Sequence, residues 1–212
     1  ASLRLQGGVT VTGDSLSLVG GSGTTRGELR NVSGDNEWVG PIAVLPGQVI
    51  VHADGGTSLT LSGPVTLADT THGKLLAMGN GNVDISGNIS GGTNAGDEAV
   101  ATSSGFYGIM TLGGTNTYVG HTRINNGTLS VAGGSAIPDT SRVWLFNSGR
   151  LALQASETVG SLESADTTTR VTLNANTLTV GGDGTNRSFA GAISGEGGGL
   201  TKIGSGIQTL SG

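Results

Sequence analysis

The chain has 212 residues, 41 of them Gly, with only 12% charged and 3% aromatic residues and a net charge of −5. The glycine has no Gly-X-Y period and comes with only 4 Pro, which excludes collagen and Pro-rich disorder, while Leu, Ile and Val spread along the whole length argue for a folded core. The absence of Cys excludes a disulfide framework, Cys-based metal sites and thiol chemistry, and ten Lys and Arg scattered through an acidic sequence give no basic stripe for nucleic acid.

Read in chain order, the sequence repeats one unit: a strand of three to five residues with apolar side chains at i and i+2, bounded by Gly, Asn, Asp, Ser or Thr. The start, "ASLRLQGGVT", has neither a basic region nor an apolar core, so it predicts neither a signal peptide nor a membrane span. "SLRLQGG" supplies Leu3 and Leu5, "VTVTGD" Val9 and Val11, "SLSLVGG" Leu16 and Leu18, and "SLTLSG" Leu59 and Leu61. In the second half "GTLSVAGG", "GRLALQ", "RVTLNAN" and "NTLTVGG" continue the pattern, and Leu129, Leu151 and Leu173 fall at steps of 22 residues. "GNISG" at 87–91 echoes "GAISG" at 191–195, and "GIMTLGG" at 108–114 echoes "GIQTLSG" at 206–212, which suggests a longer repeat of about 100 residues.

These features predict an all-β, right-handed parallel β-solenoid of about 20–25 residues per turn, a rod of roughly 45 Å. Glycine makes the corners, aliphatic residues fill a narrow bore, Thr and Ser occupy outward positions, and helix is nearly absent.

The closing stretch "GGGLTKIGSGIQTLSG", with Leu200, Lys202, Gly204, Gly206, Leu210 and Gly212, resembles the passenger-associated transport repeat of bacterial autotransporters, also called the autotransporter-associated β-strand repeat. The Asn-x-Tyr-x-Gly-x-Thr run that accompanies it in that family is matched by "GGTNTYVGHTRINNGTLSV", which supplies Asn116, Tyr118, Gly120, Thr122, Gly127, Thr128 and Leu129. The resemblance covers residues 108–212. Residues 1–107 read as divergent repeats of the same rod, with Trp38 standing where Tyr118 stands later, and "SSGFYGIMTLGG" lacks the Lys-x-Gly-x-Gly element. The resemblance implies a passenger stem secreted through an outer-membrane barrel and folded outside the cell or at its outer surface.

Residues that could carry chemistry have plainer roles. His52, His72 and His121 share no spacing and read as exposed turn positions rather than metal ligands. Asp35 with Glu37, and Asp97 with Glu98, are the acid pairs nearest in sequence and read as turn acidity rather than a hydrolytic pair. "GGDGTN" at 181–186 has the wrong order for a calcium repeat and reads as a turn, no nucleotide-binding loop occurs, and the Asn-x-Ser/Thr matches are expected by composition. Lys202 reads as an exposed strand residue whose charge discourages edge pairing. The sequence therefore predicts a non-enzymatic rod for display, adhesion or fibre assembly, without cofactor, nucleic acid or membrane insertion, with neither end visibly capped and hence end-to-end self-association or continuation in a longer solenoid. The rival is a carbohydrate-binding or polysaccharide-cleaving β-helix, which needs a row of exposed aromatic residues or a cleft with paired acids.

Overall fold

The computed structural model of the protein describes residues 1–21, 27–68 and 73–212. It is all-β, with parallel strands wound into a solenoid of about 9 turns of ~23 residues. One sheet of eight strands runs from Leu3–Gln6 to Ser161–Glu163, and a second of nine runs from Thr10–Val11 to Ala192–Ser194. The third face is broken: four strands from Leu16–Leu18 to Ile89–Gly91, then, after two turns without regular strand there, three strands from Glu157–Val159 to Gly199–Lys202. Arg187–Phe189 and Gln208–Leu210 pair beside the end of the first sheet, joined to it by a bridge from Ser164 to Phe189. At about 4.8 Å per strand, nine turns make a rod of roughly 43 Å.

Parallel, in-register stacking turns the alternating pattern into columns. In the second sheet Leu59, Val83, Met110, Leu129, Leu151 and Val171 lie one above another. Beside them stand Trp38, Leu61, Ile85, Leu112, Val131 and Leu153. All are buried in a single core that extends from Leu5 to Phe189. Outward positions of the same sheet carry Thr60, Asp84, Thr111, Ser130, Ala152 and Thr172, a row of small, mostly polar side chains.

The step between turns is not constant, and this corrects three expectations. Leu29 pairs with Val51, a step of 22, but Leu3 pairs with Leu29 and Arg142 with Ser161, steps of 26 and 19. Leu151 accordingly stacks on Val171, and Leu173 belongs to the column of Leu153. The long echoes also fall on different faces: Ile89–Gly91 is on the third face and Ala192–Ser194 in the second sheet, while Ile109–Leu112 is in the second sheet and Gln208–Leu210 beside the first. Trp38 and Tyr118 are both buried, but Trp38 belongs to the second sheet and Tyr118 to the third face, so they are not equivalent.

The abundance of glycine has a structural cause at the corner between the second and third faces, where Gly40, Gly63, Gly87 and Gly114 stack on successive turns. A Cβ on Gly63 would sit 2.2 Å from the Gly40 carbonyl oxygen, one on Gly87 would sit 1.9 Å from that of Gly63, and one on Gly114 would sit 2.5 Å from that of Gly87. Backbone packs on backbone here, and no side chain fits without parting the turns. Gly63→Ala is expected to lower stability by about 2 kcal/mol through overpacking, read as a fall in the urea midpoint; an unchanged midpoint would mean that the corner opens freely.

Candidate ligand-binding face

Residues scattered in the sequence are gathered by the winding. Arg4, Arg30, Lys74, Arg123 and Arg142 all lie on strands of the first sheet, and Arg187 lies in its two-stranded extension, so six of the ten basic residues share one face. The winding thus brings onto one face basic residues that lie one turn or more apart, interleaved with the acids Asp54, Glu98 and Glu163.

The face is a chain of ion pairs and rings. Near its start Arg30 Nη2 lies 2.8 Å from Asp54 Oδ2, and His52 Nε2 lies 3.0 Å from Asp54 Oδ1. The Arg30 guanidinium holds the Asp54 carboxyl below its usual range, and burial lowers the pKa of His52 despite Asp54. Further along, Lys74 Nζ and Arg123 Nη1 both donate to Glu98, the second at 2.7 Å. Burial pushes the Glu98 carboxyl up, but the two cations outweigh it and hold the group ionised. Arg123 lies over the Phe146 ring at 4.8 Å, Phe146 and Trp144 are 4.3 Å apart, and Arg142 lies over Trp144 at 4.4 Å. Glu163 Oε2 then accepts a hydrogen bond from Arg142 Nη1 at 3.1 Å and forms an ion pair with Arg187, whose Nε lies 3.1 Å away. Register explains the order, since Arg123, Trp144 and Glu163 are partners on three successive turns. His121 lies among these charges, its pKa lowered by burial and then by Arg142 and Arg187 against Glu98 and Glu163.

A second polar assembly is internal and lies where the third face lacks regular strand. Asn116 Oδ1 accepts the Ile89 N–H at 2.6 Å, and its Nδ2 donates to the Ala136 carbonyl at 2.7 Å, so one side chain joins three turns. The Tyr118 hydroxyl lies 2.7 Å from Thr122 Oγ1, which lies 3.0 Å from Ser141 Oγ, and Ser141 donates to the Gly120 carbonyl at 2.8 Å. Beside them Glu157, only 2% exposed, accepts the Ala136 N–H at 3.1 Å on Oε2, while its Oε1 has no hydrogen-bond partner among the described residues. Burial pushes the Glu157 carboxyl up to about 7, against the N–H groups of Ala136, Ile137 and Thr158 and with a further push from Asp139.

No family model, curated protein or solved structure matches the chain. The placement of each sequence-derived residue therefore rests on the geometry alone. Asn116, Tyr118, Gly120 and Thr122 converge in the internal assembly, Leu129 is in the core, and Gly127 turns with φ 71° against the Phe106 ring. Leu200, Lys202, Gly204, Gly206, Leu210 and Gly212 lie apart from these in the outermost described turn, where Leu200 pairs with Leu178, Leu210 with Phe189, and the Lys202 ammonium donates to the carbonyls of its own turn. His52 and His121 lie on the basic face, and His72 lies outside the described residues. Among the described residues no group of three or more His, Asp and Glu is placed to hold a metal ion. Asp35 and Glu37 accept hydrogen bonds from Ser58 and Ser62 on the second sheet, and Asp183 of "GGDGTN" is filled by Ser161 and Thr185. Glu98 joins the ladder through Lys74 and Arg123, and Asp97 lines the same hollow as Lys74 and Glu98.

Proposed function

We propose that the chain is a structural segment of a secreted or surface-attached bacterial protein, a non-enzymatic stem that spaces or displays other parts. The observation that carries this reading is the core that runs from Leu5 to Phe189 through a solenoid of about 9 turns, which supports one continuous rod. The residues of the autotransporter resemblance fit that role: Asn116 joins three turns, and Tyr118 is tied through Thr122 to Ser141 of the next turn, which supports a rod. In this reading the half-exposed Leu200 and Leu210 are positions on which a further turn, of the same chain or of a second copy, would stack, and the parent protein carries an outer-membrane barrel.

The test is display. The chain is inserted between an epitope and an outer-membrane barrel in a bacterial host. The expected result is an epitope accessible to antibody on intact cells and a protease-resistant rod. An epitope retained inside the envelope, with the insert degraded, would overturn the reading.

A further inference from the structure

We propose that the outer face of the second sheet is a self-association surface, on which a second copy of the chain docks with its rod axis reversed, acids against arginines, about a two-fold axis along the strand Ile109–Leu112. The proposal stands apart from the stem reading, since a stem could exist with or without it.

Charge selects the partner. The second sheet has nine strands, and the charged residues on them are sorted by position: Asp35 and Glu37 on the second strand, Asp84 on the fourth, Arg150 on the seventh and Arg170 on the eighth. All five alternate with the inward columns and so face outward, and Asp35, Arg150 and Arg170 are exposed. Among the described residues none of the five is in an ion pair. Burial raises the pKa of Asp84 with no cation to offset it. The corners beside the sheet carry Asp54 and Asp166 on one side, the first paired with Arg30 and the second accepting the Asn147 N–H, and Asp14 and Glu196 on the other. None of these four forms an ion pair with Arg150 or Arg170. The face is therefore acidic over its first half and basic over its second, with each half lacking counter-ions.

Geometry selects the orientation. Two such faces laid together with two-fold symmetry have their rod axes either parallel or antiparallel. In the parallel arrangement each half meets its like, and acids oppose acids. In the antiparallel one the second strand meets the eighth of the other copy, the third meets the seventh, and the fifth meets itself. Asp35 and Arg170 stand in the same column, so Asp35 is set against the partner's Arg170. Glu37, two residues along, flanks the same guanidinium, and Asp84 lies one strand from the partner's Arg150. The midpoint between Asp35 and Arg170 falls on the fifth strand, where Ile109 is 45% exposed and Tyr107, at the corner before it, 68% exposed. These apolar groups then meet their own copies at the axis, a self-complementary centre flanked by charge.

Shape and size agree. Between the charges the outward side chains Thr60, Thr111, Ser130, Ala152 and Thr172 are small, which leaves a level face that a second sheet can approach. Nine strands about 4.8 Å apart, each up to four residues long at about 3.3 Å per residue, make a face of roughly 43 by 13 Å. Two such faces bury about 1,100 Å² in total, at the lower end of specific interfaces. Ion pairs at its rim are screened by salt, so the dimer is weak and salt-sensitive. A two-fold contact also closes at two copies, whereas an end-to-end contact propagates.

The experiment is analytical sedimentation of the 212-residue chain from about 1 to about 300 µM. The expected result is a reversible monomer–dimer equilibrium, with nothing larger, that weakens at least about tenfold between about 0.02 and about 0.5 M NaCl. Arg170→Glu, and separately Asp35→Arg with Glu37→Arg, are each expected to weaken self-association at least about tenfold. An equimolar mixture of the two variants is expected to recover it as a heterodimer, which a folding defect in either would not give. The chain has no Cys, so single cysteines in the otherwise unchanged protein read the orientation. Thr111→Cys, on the middle strand, is expected to cross-link to itself on oxidation, and Ala192→Cys, on the ninth, is not. A monomer at every concentration, which would leave the face to a different partner, would overturn the proposal. So would growth into polymers, a dimer indifferent to salt, no recovery in the mixture, or cross-linking through Ala192→Cys in place of Thr111→Cys.

Discussion

Leu151→Asp is expected to lower stability by about 4 kcal/mol or more, the largest effect of any single substitution considered. Leu151 is 0% exposed and stacks between Leu129 and Val171 in the second sheet. The substitution removes a buried aliphatic side chain, itself worth about 2–5 kcal/mol on truncation, and adds a carboxyl that finds no donor in an aliphatic column. Its neighbour Ala152 supplies the control, because it lies one residue along on the outward face, between Ser130 and Thr172. Ala152→Asp is expected to cost under about 1 kcal/mol. Urea titration of the two variants reads the alternation directly: equal midpoints would refute the inward column, and a large loss for both would refute the solvated outer face.

The fold was legible in the sequence because its periodicity is local. Alternation in "GTLSVAGG" and "GRLALQ" assigns inward residues without knowledge of their neighbours, and the structure places Leu129, Val131, Leu151 and Leu153 in the core. Spacing between turns was legible only where the turn length happened to hold, as from Leu129 to Leu151. Leu173 was misplaced because the turn before it is shorter, and a sequence step of 22 says nothing of register once a corner gains or loses residues. The basic face was invisible for the same reason. Arg123 and Glu98 are 25 residues apart, as are Glu37 and Ser62, and nothing local distinguishes the first contact, which joins the ladder, from the second, which ties down a surface acid. The internal assembly was half legible: Asn116, Tyr118 and Thr122 stood out through the resemblance, whereas Glu157 in "ASETVG" carries no local signal, its burial being set by residues 136 and 118 on earlier turns. Four of the aromatic residues, Trp38, Phe106, Tyr118 and Phe189, are spent in the core, and Tyr107 is exposed. The two left on the basic face, Trp144 and Phe146, act as supports for arginine rather than as a platform of their own.

The Glu157 carboxyl makes stability depend on pH in the direction opposite to that of an ion-paired acid. Its pKa rises from an ordinary 4.5 to about 7 on folding, because burial outweighs the N–H groups of Ala136, Ile137 and Thr158, and Asp139 adds to the rise; the buried Tyr118 hydroxyl, also facing it, has its own pKa pushed up. Between these two values the folded protein holds a proton that the unfolded chain has released, so stability is full below pH 4.5, falls as pH rises, and levels off above about 7. The loss amounts to about 3 kcal/mol. His52 and His121, whose pKa values are lowered on folding, act in the other sense, adding stability as pH rises towards their ordinary 6.5, so the raw profile mixes the two. Subtracting the profile of Glu157→Gln isolates the carboxyl, since glutamine keeps the acceptor for Ala136 N–H and cannot ionise. The variant is expected to match the parent protein near pH 4.5 and to exceed it by about 2–3 kcal/mol at about pH 8. Unfolding curves across that range that stay parallel for the two proteins would show that Glu157 is ionised in the fold at no cost, and that a donor or water reaches Oε1.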